Sequence, residues 1–251
     1  MRGYRGSDGA QGDHVAHVVS RYVALFGAIL IVIVTLGAYG DVGLIRRLRA
    51  VELTSFERGH ATVVPGSVGY FVLYQSIWAG FAATFLAAGA ETAGAAWHTH
   101  WPLGLLFICL GSACASAPAL ASVGTLRRGR IVLTADDIVH EGWSSRTRLP
   151  WADVAGVMAA FEQQPLIVIT GSNGEQWNHE VTTPHVPLGR ARRPIWMLDR
   201  PARSGSICVE CPRLAVDEHR VLRFLSFYAD NPAFRSELGT QLSLDRWRAL
   251  R

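Results

Sequence analysis

Three long apolar runs dominate the first half of the chain. Residues 22–40 read YVALFGAILIVIVTLGAYG, and neither this run nor 68–90 nor 102–124 contains a charged side chain. About 20 apolar residues of helix span a hydrocarbon layer of about 30 Å, whereas a soluble core helix needs roughly 10–14. The pattern predicts three membrane-spanning helices. A secretory signal has an apolar stretch of roughly 7–15 residues and no following spans, so the first run reads as a retained helix.

Past Arg130 the long runs give way to short ones punctuated by turn residues. IVLT reads as a strand, TADD as a turn and IVHEGW as a second strand; SSRT then turns, and RLPW and AGVMAAF follow. PLIVIT and QWNHEV flank GSNGE, a turn-rich segment that predicts a hairpin, and PIWMLD and SGSICVEC read as later strands. Short strands at this spacing predict a small antiparallel sandwich or barrel. Helix follows: after Asp217, a plausible cap, Val221, Leu222, Leu225 and Tyr228 form one apolar stripe. A second short helix is expected from Asn231-Pro232, stopping at Gly239.

Arginine placement sets the orientation. Arg46, Arg47, Arg49 and Arg58 follow the first run, and Arg127, Arg128 and Arg130 follow the third. The loop ETAGAAWHTHW between the second and third has no basic residue except histidine. Short cytoplasmic loops carry the excess of Lys and Arg, so both arginine-rich segments are expected in the cytoplasm. The N-terminal tail, 1–21, with Arg2, Arg5 and Arg21, then lies outside. The expected order is tail, membrane region (22–124), cytoplasmic β domain (125–229) and C-terminal helical tail (230–251). In the first loop, Leu44, Leu48 and Val51 recur at helical spacing among Arg46, Arg47 and Arg49. Such a segment either extends the first span or lies in the headgroup layer, where it attracts anionic lipid.

Composition sharpens this picture. The mean hydropathy is +0.19 and only 18% of residues are charged, which suits a membrane protein. All 24 basic residues are arginine, as in proteins from high-GC genomes, and the net charge of +4 is modest. Nucleic-acid binding needs a concentrated basic face, so nucleic acid is not an expected partner. No Asp, Glu, Arg or His falls inside a span, which removes the groups an ion pathway uses. The third span is rich in small residues from Gly111 to Ala117, which suit close helix packing, including in a homo-oligomer. Trp97 and Trp101 fit the outer interface.

The stretch GRIVLTADDIVHEGWSSRTRLPWADVAGV, with Pro150, Trp151 and Asp153, resembles the opening of bacterial PH-like domains that follow transmembrane helices. YADNPAFRSELG is similar to tails of uncharacterised membrane proteins of high-GC bacteria. The resemblance covers roughly residues 129 to 240. It implies a PH-like antiparallel barrel or sandwich closed by a C-terminal helix, and a binding or assembly module more than an enzyme. Eukaryotic relatives of that fold bind phosphoinositides through a basic first hairpin. Here that turn carries Asp136 and Asp137, so the inositol-phosphate pocket does not carry over.

Candidate chemistry is sparse. Asp136, Asp137, His140 and Glu141 offer metal-ligand atoms, but alternate strand residues face opposite ways, which separates His140 from Glu141. Cys208 and Cys211 have knuckle spacing, yet Pro212 follows them where a reactive pair wants a helix N-terminus. They read as structural thiols. His98 and His100 lack a third ligand and read as interfacial loop residues. No cofactor is expected. Arg190, Arg192, Arg193, Arg200 and Arg203 surround Trp196, a combination suited to an acidic partner or an anionic membrane surface. These residues, with Arg46, Arg47 and Arg49, are the expected binding set. The sequence therefore points to a non-enzymatic scaffold or accessory subunit with a protein partner. Its rivals are a membrane-associated metal-dependent or thiol enzyme and a subunit of an envelope transport or assembly complex.

Overall fold

The structure is a computed structural model that describes Ile29 and residues 51–57, 59–172, 177–189, 191–200 and 205–250; for residues 93–100 and 188 it describes the backbone only. The first expected span and the arginines at 46, 47 and 49 lie outside these, apart from Ile29, which is helical and buried. The described residues form two compact units, a helical one within 73–119 and a β-rich one made of 51–72 together with 120–250.

Helical backbone covers Val68–Ser122 (α1). Its two apolar limbs, Val68–Thr92 and Trp101–Ser122, are each long enough to cross a membrane. They lie side by side. A Cβ on Gly89 would sit 2.7 Å from Ile108 Cγ1 and 3.2 Å from the Gly104 carbonyl oxygen. In a straight helix, residues 89 and 104 would be roughly 22 Å apart, so the chain reverses between them. Phe85 and Phe107 stack across the limbs at 6.3 Å, and Leu86 fills the space a Gly111 side chain would need. The small residues expected to allow close packing do so here, within the limb pair. Ile29 packs likewise on the bare backbone of Gly80.

The β unit begins before these limbs. Residues expected to form a loop or amphipathic helix instead make a hairpin, β1 (Glu52–Phe56) and β2 (Gly59–Pro65), with Glu57 at a positive φ of 51° in its two-residue turn. After the limbs come β3 (Arg130–Leu133), β4 (Asp137–Glu141) and β5 (Ser145–Pro150). With β8 (Asn178–Val181) they complete a six-stranded antiparallel sheet in the order β1-β2-β3-β4-β5-β8. A three-stranded sheet, β11-β7-β6, is built from β6 (Val154–Glu162), β7 (Gln164–Gly171) and β11 (Ser206–Glu210). A separate two-stranded ribbon pairs β9 (His185–Leu188) with β10 (Ala191–Pro194). Among the described residues the sheets do not close into a barrel.

Three local expectations change. GSNGE does not join a hairpin, because β7 pairs with β6 and β11 while β8 pairs with β5. The turn after β4 comes at Gly142–Ser144 rather than at SSRT, and PIWMLD is irregular beyond β10. The last two follow from contacts made by Asp199, described below.

The core lies between the sheets and the C-terminal helix. Alternate residues Ile131, Leu133, Ile138 and Leu149 of the large sheet meet Ile167, Ile169, Ile207 and Val209 of the small one. Helix α2 (Glu218–Asp230) adds Val221, Phe224, Leu225 and Tyr228, and the Asp217 side chain caps it by accepting from Arg220 N at 3.0 Å. A 3-10 segment of two turns, Pro232–Glu237, leads to α3 (Gln241–Ala249). There Trp247 meets Phe224 edge-on at 5.3 Å. Ser243 Oγ and Gly239 N both bond Thr62 Oγ1, at 2.7 and 2.8 Å, which ties the tail to β2 and leaves that buried hydroxyl satisfied. Trp151 of the Pro-Trp-Asp motif is buried, and its Nε1 donates to the Thr134 carbonyl at 2.8 Å.

The limbs are inserted between paired neighbours. The chain leaves β2 at Pro65 and returns at Arg130, its pairing partner, and Gly66 N donates to the Gly129 carbonyl at 3.1 Å. A Cβ on Gly66 would collide with the carbonyl oxygens of Arg128 and Gly129. Gly66→Ala is therefore expected to lower stability by about 1–3 kcal/mol through overpacking. Gly59→Ala is the control, since a Cβ there meets nothing within 4 Å; it should stay within about 0.5 kcal/mol. Unfolding midpoints of the detergent-solubilised full chain will separate the two, and equal midpoints would contradict the close approach.

Candidate functional site

The densest polar cluster of the described β unit gathers where the limbs join it. Across the inner face of the large sheet, Val64, Ile131, His140, Thr147 and His179 form one register row. The row is apolar at one end and polar at the other. Thr147 Oγ1 lies 2.9 Å from His179 Nδ1, and the His179 ring stacks on Trp177 at 5.1 Å, nearly parallel. Glu141, one residue past His140, faces the opposite side, where Arg130 and Arg146 pair with it. The expected divergence of His140 and Glu141 is thus present.

Asp199 is the hub. Its carboxylate accepts from Trp143 N at 2.8 Å, Ser144 N at 2.7 Å, Ser144 Oγ at 3.1 Å, Ser145 Oγ at 2.9 Å and Arg213 Nη1 at 2.9 Å. Ser144 Oγ in turn accepts from the backbone N–H groups of Leu198 and Asp199. The turn Gly142–Ser144 and the irregular 195–200 segment hold each other through one carboxylate, which is why neither is strand. Gly142 permits this, since a Cβ there would strike the Asp199 carboxylate.

Arg213 extends the network. Its guanidinium also pairs with Glu210, donates to the Leu198 carbonyl at 2.8 Å and lies 4.3 Å from the Trp143 ring centroid. Trp143 is buried, with Phe71 edge-on at 5.2 Å and Tyr70 tilted at 5.8 Å. Arg200 bridges Glu210 at 3.2 Å and Glu162 at 2.9 Å. Asp199, Arg200, Glu210, Arg213 and Trp143, with His140 and Cys208, line a cavity of about 20 Å³, room for about one water molecule.

Electrostatics follow the packing. Burial pushes the His140 imidazole below its ordinary pKa of 6.5, and Arg213 and His179 push the same way against Asp199 and Glu141. Burial alone would raise the Asp199 carboxyl. The charge His140 takes up on protonation, the Arg213 guanidinium and the N–H groups of Ser144 and Trp143 outweigh it and hold Asp199 below the ordinary 3.8.

The residues expected from sequence are dispersed. Asp136 is exposed at the β3–β4 turn, whereas Asp137 pairs with Arg148. Cys211 is buried in the core and Cys208 is partly buried on β11. Among the described residues no three His, Cys, Asp or Glu side chains converge as metal ligands. The side chains of His98 and His100 lie outside the described set. Of the basic set around Trp196, Arg192 and Arg193 are exposed on β10. Arg200 is drawn inward by Glu162 and Glu210, while Arg190 and Arg203 lie outside the described residues. Trp196 is half-buried, with its carbonyl accepting from Thr183 Oγ1 at 2.7 Å. Sequence reasoning missed Asp199, Arg213 and Trp143. The lone acid within the arginine-rich stretch was the available signal, but nothing local links it to a turn 56 positions earlier.

No protein-family model, curated protein or solved structure matches this chain. Its function has to be argued from its own geometry.

Two pH effects are expected. A histidine held below its unfolded pKa contributes stability fully above about pH 6.5, and that stability falls as the pH drops from there toward the folded value. Asp199 contributes above the ordinary carboxyl pKa of 3.8, and its contribution is lost as pH falls through the lower folded value. His140→Gln should flatten the stability profile between pH 7 and 5, and Asp199→Asn should lose several kcal/mol at neutral pH by leaving Arg213 short of a partner. Denaturant midpoints against pH test both; an unchanged slope in His140→Gln would remove His140 from the account.

Proposed function

We propose that this protein is a three-span membrane scaffold or accessory subunit. Its cytoplasmic, PH-like β domain docks a protein partner or the anionic membrane surface through the β9–β10 ribbon. The observation that carries this reading is the ribbon itself. Among the described residues it pairs with neither larger sheet, and it presents exposed Arg192 and Arg193 beside Val186 (42% exposed), Ile195 (42%) and Met197 (60%). Exposed basic and apolar side chains side by side suit contact with an acidic surface or a partner.

The membrane setting is supported by the two apolar limbs, with the first span resting on the uncharged run 22–40. Because β2 pairs with β3, the limbs begin and end at neighbouring residues of one folded unit. Two crossings satisfy that requirement, and they put the arginines on both flanks of α1 on one side, which the positive-inside rule makes cytoplasmic. The PH-like reading is supported by antiparallel sheets backed by a helix after the last strand.

Co-purification at native expression, paired with hydrogen exchange on the full chain in nanodiscs, tests this reading. The wild type should retain a stoichiometric partner, or show β9–β10 amides protected when phosphatidylglycerol replaces phosphatidylcholine. Arg192→Glu, Arg193→Glu and Met197→Asp combined should abolish that retention or protection. A wild type that purifies alone, with a ribbon equally exposed in both lipids, would end the proposal.

A further inference from the structure

We propose that the cleft lined by Arg127, Arg128, Gly129, Arg130 and Glu141 is a binding site for the phosphate of an anionic phospholipid headgroup. It is separate from the β9–β10 ribbon and rests only on the membrane reading above. The cleft is open and encloses about 300 Å³, ample for a phosphate and its adjoining glycerol.

Its charges are unequally committed. Arg130 is held by Glu141, and Arg146 approaches the same carboxylate at 3.9 Å. The one acid in the cleft is therefore neutralised by its own sheet neighbours. Arg127 donates from Nε to the Gly124 carbonyl at 3.2 Å and makes no ion pair among the described residues. The Arg128 guanidinium has neither a hydrogen-bond nor an ion-pair partner there. Two exposed guanidinium groups are thus left beside a neutralised third. A planar guanidinium donates two parallel N–H bonds to phosphate oxygens, which makes adjacent arginines a fit for a phosphodiester.

Position supplies the second argument. The helix ends at Ser122, and Gly124 N, Thr125 N and Leu126 N donate back to the carbonyls of Ala121 and Leu120. The chain is folded onto the last helical turn instead of running away from it. Arg127 N is then fixed by the Trp143 carbonyl at 3.0 Å, and Gly129, at a φ of +79°, turns the chain into β3. The arginines are thereby held close to the end of an apolar limb, and where such a limb crosses a bilayer its end meets the headgroup phosphates. The Asp199–Arg213 clamp under Trp143 keeps that placement rigid.

The test uses the full chain in detergent micelles doped with phosphatidylglycerol or phosphatidylcholine, with retained lipid counted by native mass spectrometry. Wild type should retain phosphatidylglycerol selectively. Arg127→Gln with Arg128→Gln should weaken retention about 25-fold, and Arg128→Gln alone about fivefold, at about one ionic contact each. Among the described residues the Arg128 side chain makes no hydrogen bond or ion pair, so its single variant reads binding without perturbing structure. Arg223→Gln, at an exposed arginine of α2, should retain lipid like wild type. Undiminished retention in the Arg127/Arg128 variant, or equal loss in the Arg223 control, overturns the site. Displacement by inorganic phosphate at matched concentration assigns it to free phosphate and overturns the lipid assignment. A wild type that stays dispersed without detergent would instead sink the membrane reading itself, so the two failures are distinguishable.

Discussion

The pairing of β2 with β3 constrains everything else in this protein. These strands are hydrogen-bonded neighbours, yet the whole of α1 lies between them in sequence. A backbone that exits and re-enters a sheet at adjacent positions requires the inserted segment to come back to where it started. The helical segment does so by folding into two limbs in contact through Gly89 and Gly111. The same requirement brings Gly66 against Gly129, where backbone meets backbone with no room for a side chain. Loop closure across a long insertion costs entropy that grows only slowly with length, so a compact limb pair makes the arrangement feasible.

That junction explains where the polar residues went. Asp199 fixes the Gly142–Ser144 turn with two backbone and two hydroxyl donors. A buried carboxylate with that many donors and a guanidinium is costly to break and tolerates little movement. His140 and the small cavity beside it are consequences of this packing. The acid–base residues that stand out in LTADDIVHEGW are divided between two faces and a solvent-exposed turn. The clamp leaves other arginines at the surface: Arg127 and Arg128 at the limb exit, and Arg192 and Arg193 on the ribbon, are all exposed.

Much of the architecture was legible in the sequence because it depends on local periodicity. The second and third apolar runs are the two limbs, to within a few residues. The TADD turn, the Asp217 cap and the stripe Val221, Leu225, Tyr228 are where their spacing put them. The hairpin ELTSF–GHATVVP escaped notice because its polar residues and position between apolar runs look like a membrane loop. The β-branched Thr62-Val63-Val64 ahead of Pro65 was the signal it carried. GSNGE has the residues of a hairpin turn, but turn chemistry says nothing about which strand the chain will pair with next.

The sequence by itself determined the elements whose energetics are local: apolar length for the limbs, alternation for most strands, and capping and 3.6-residue periodicity for α2. It also determined that every strongly basic side chain is an arginine, since the chain has no lysine. Tertiary structure alone decided which arginines are free. Arg200 and Arg193 belong to the same basic stretch, yet Glu162 and Glu210 claim the first and solvent surrounds the second. It alone decided that Asp199 should hold a turn 56 residues away. An ion pair forms wherever folding brings charges within a few ångströms, and the separation of residues along the chain carries no record of that distance.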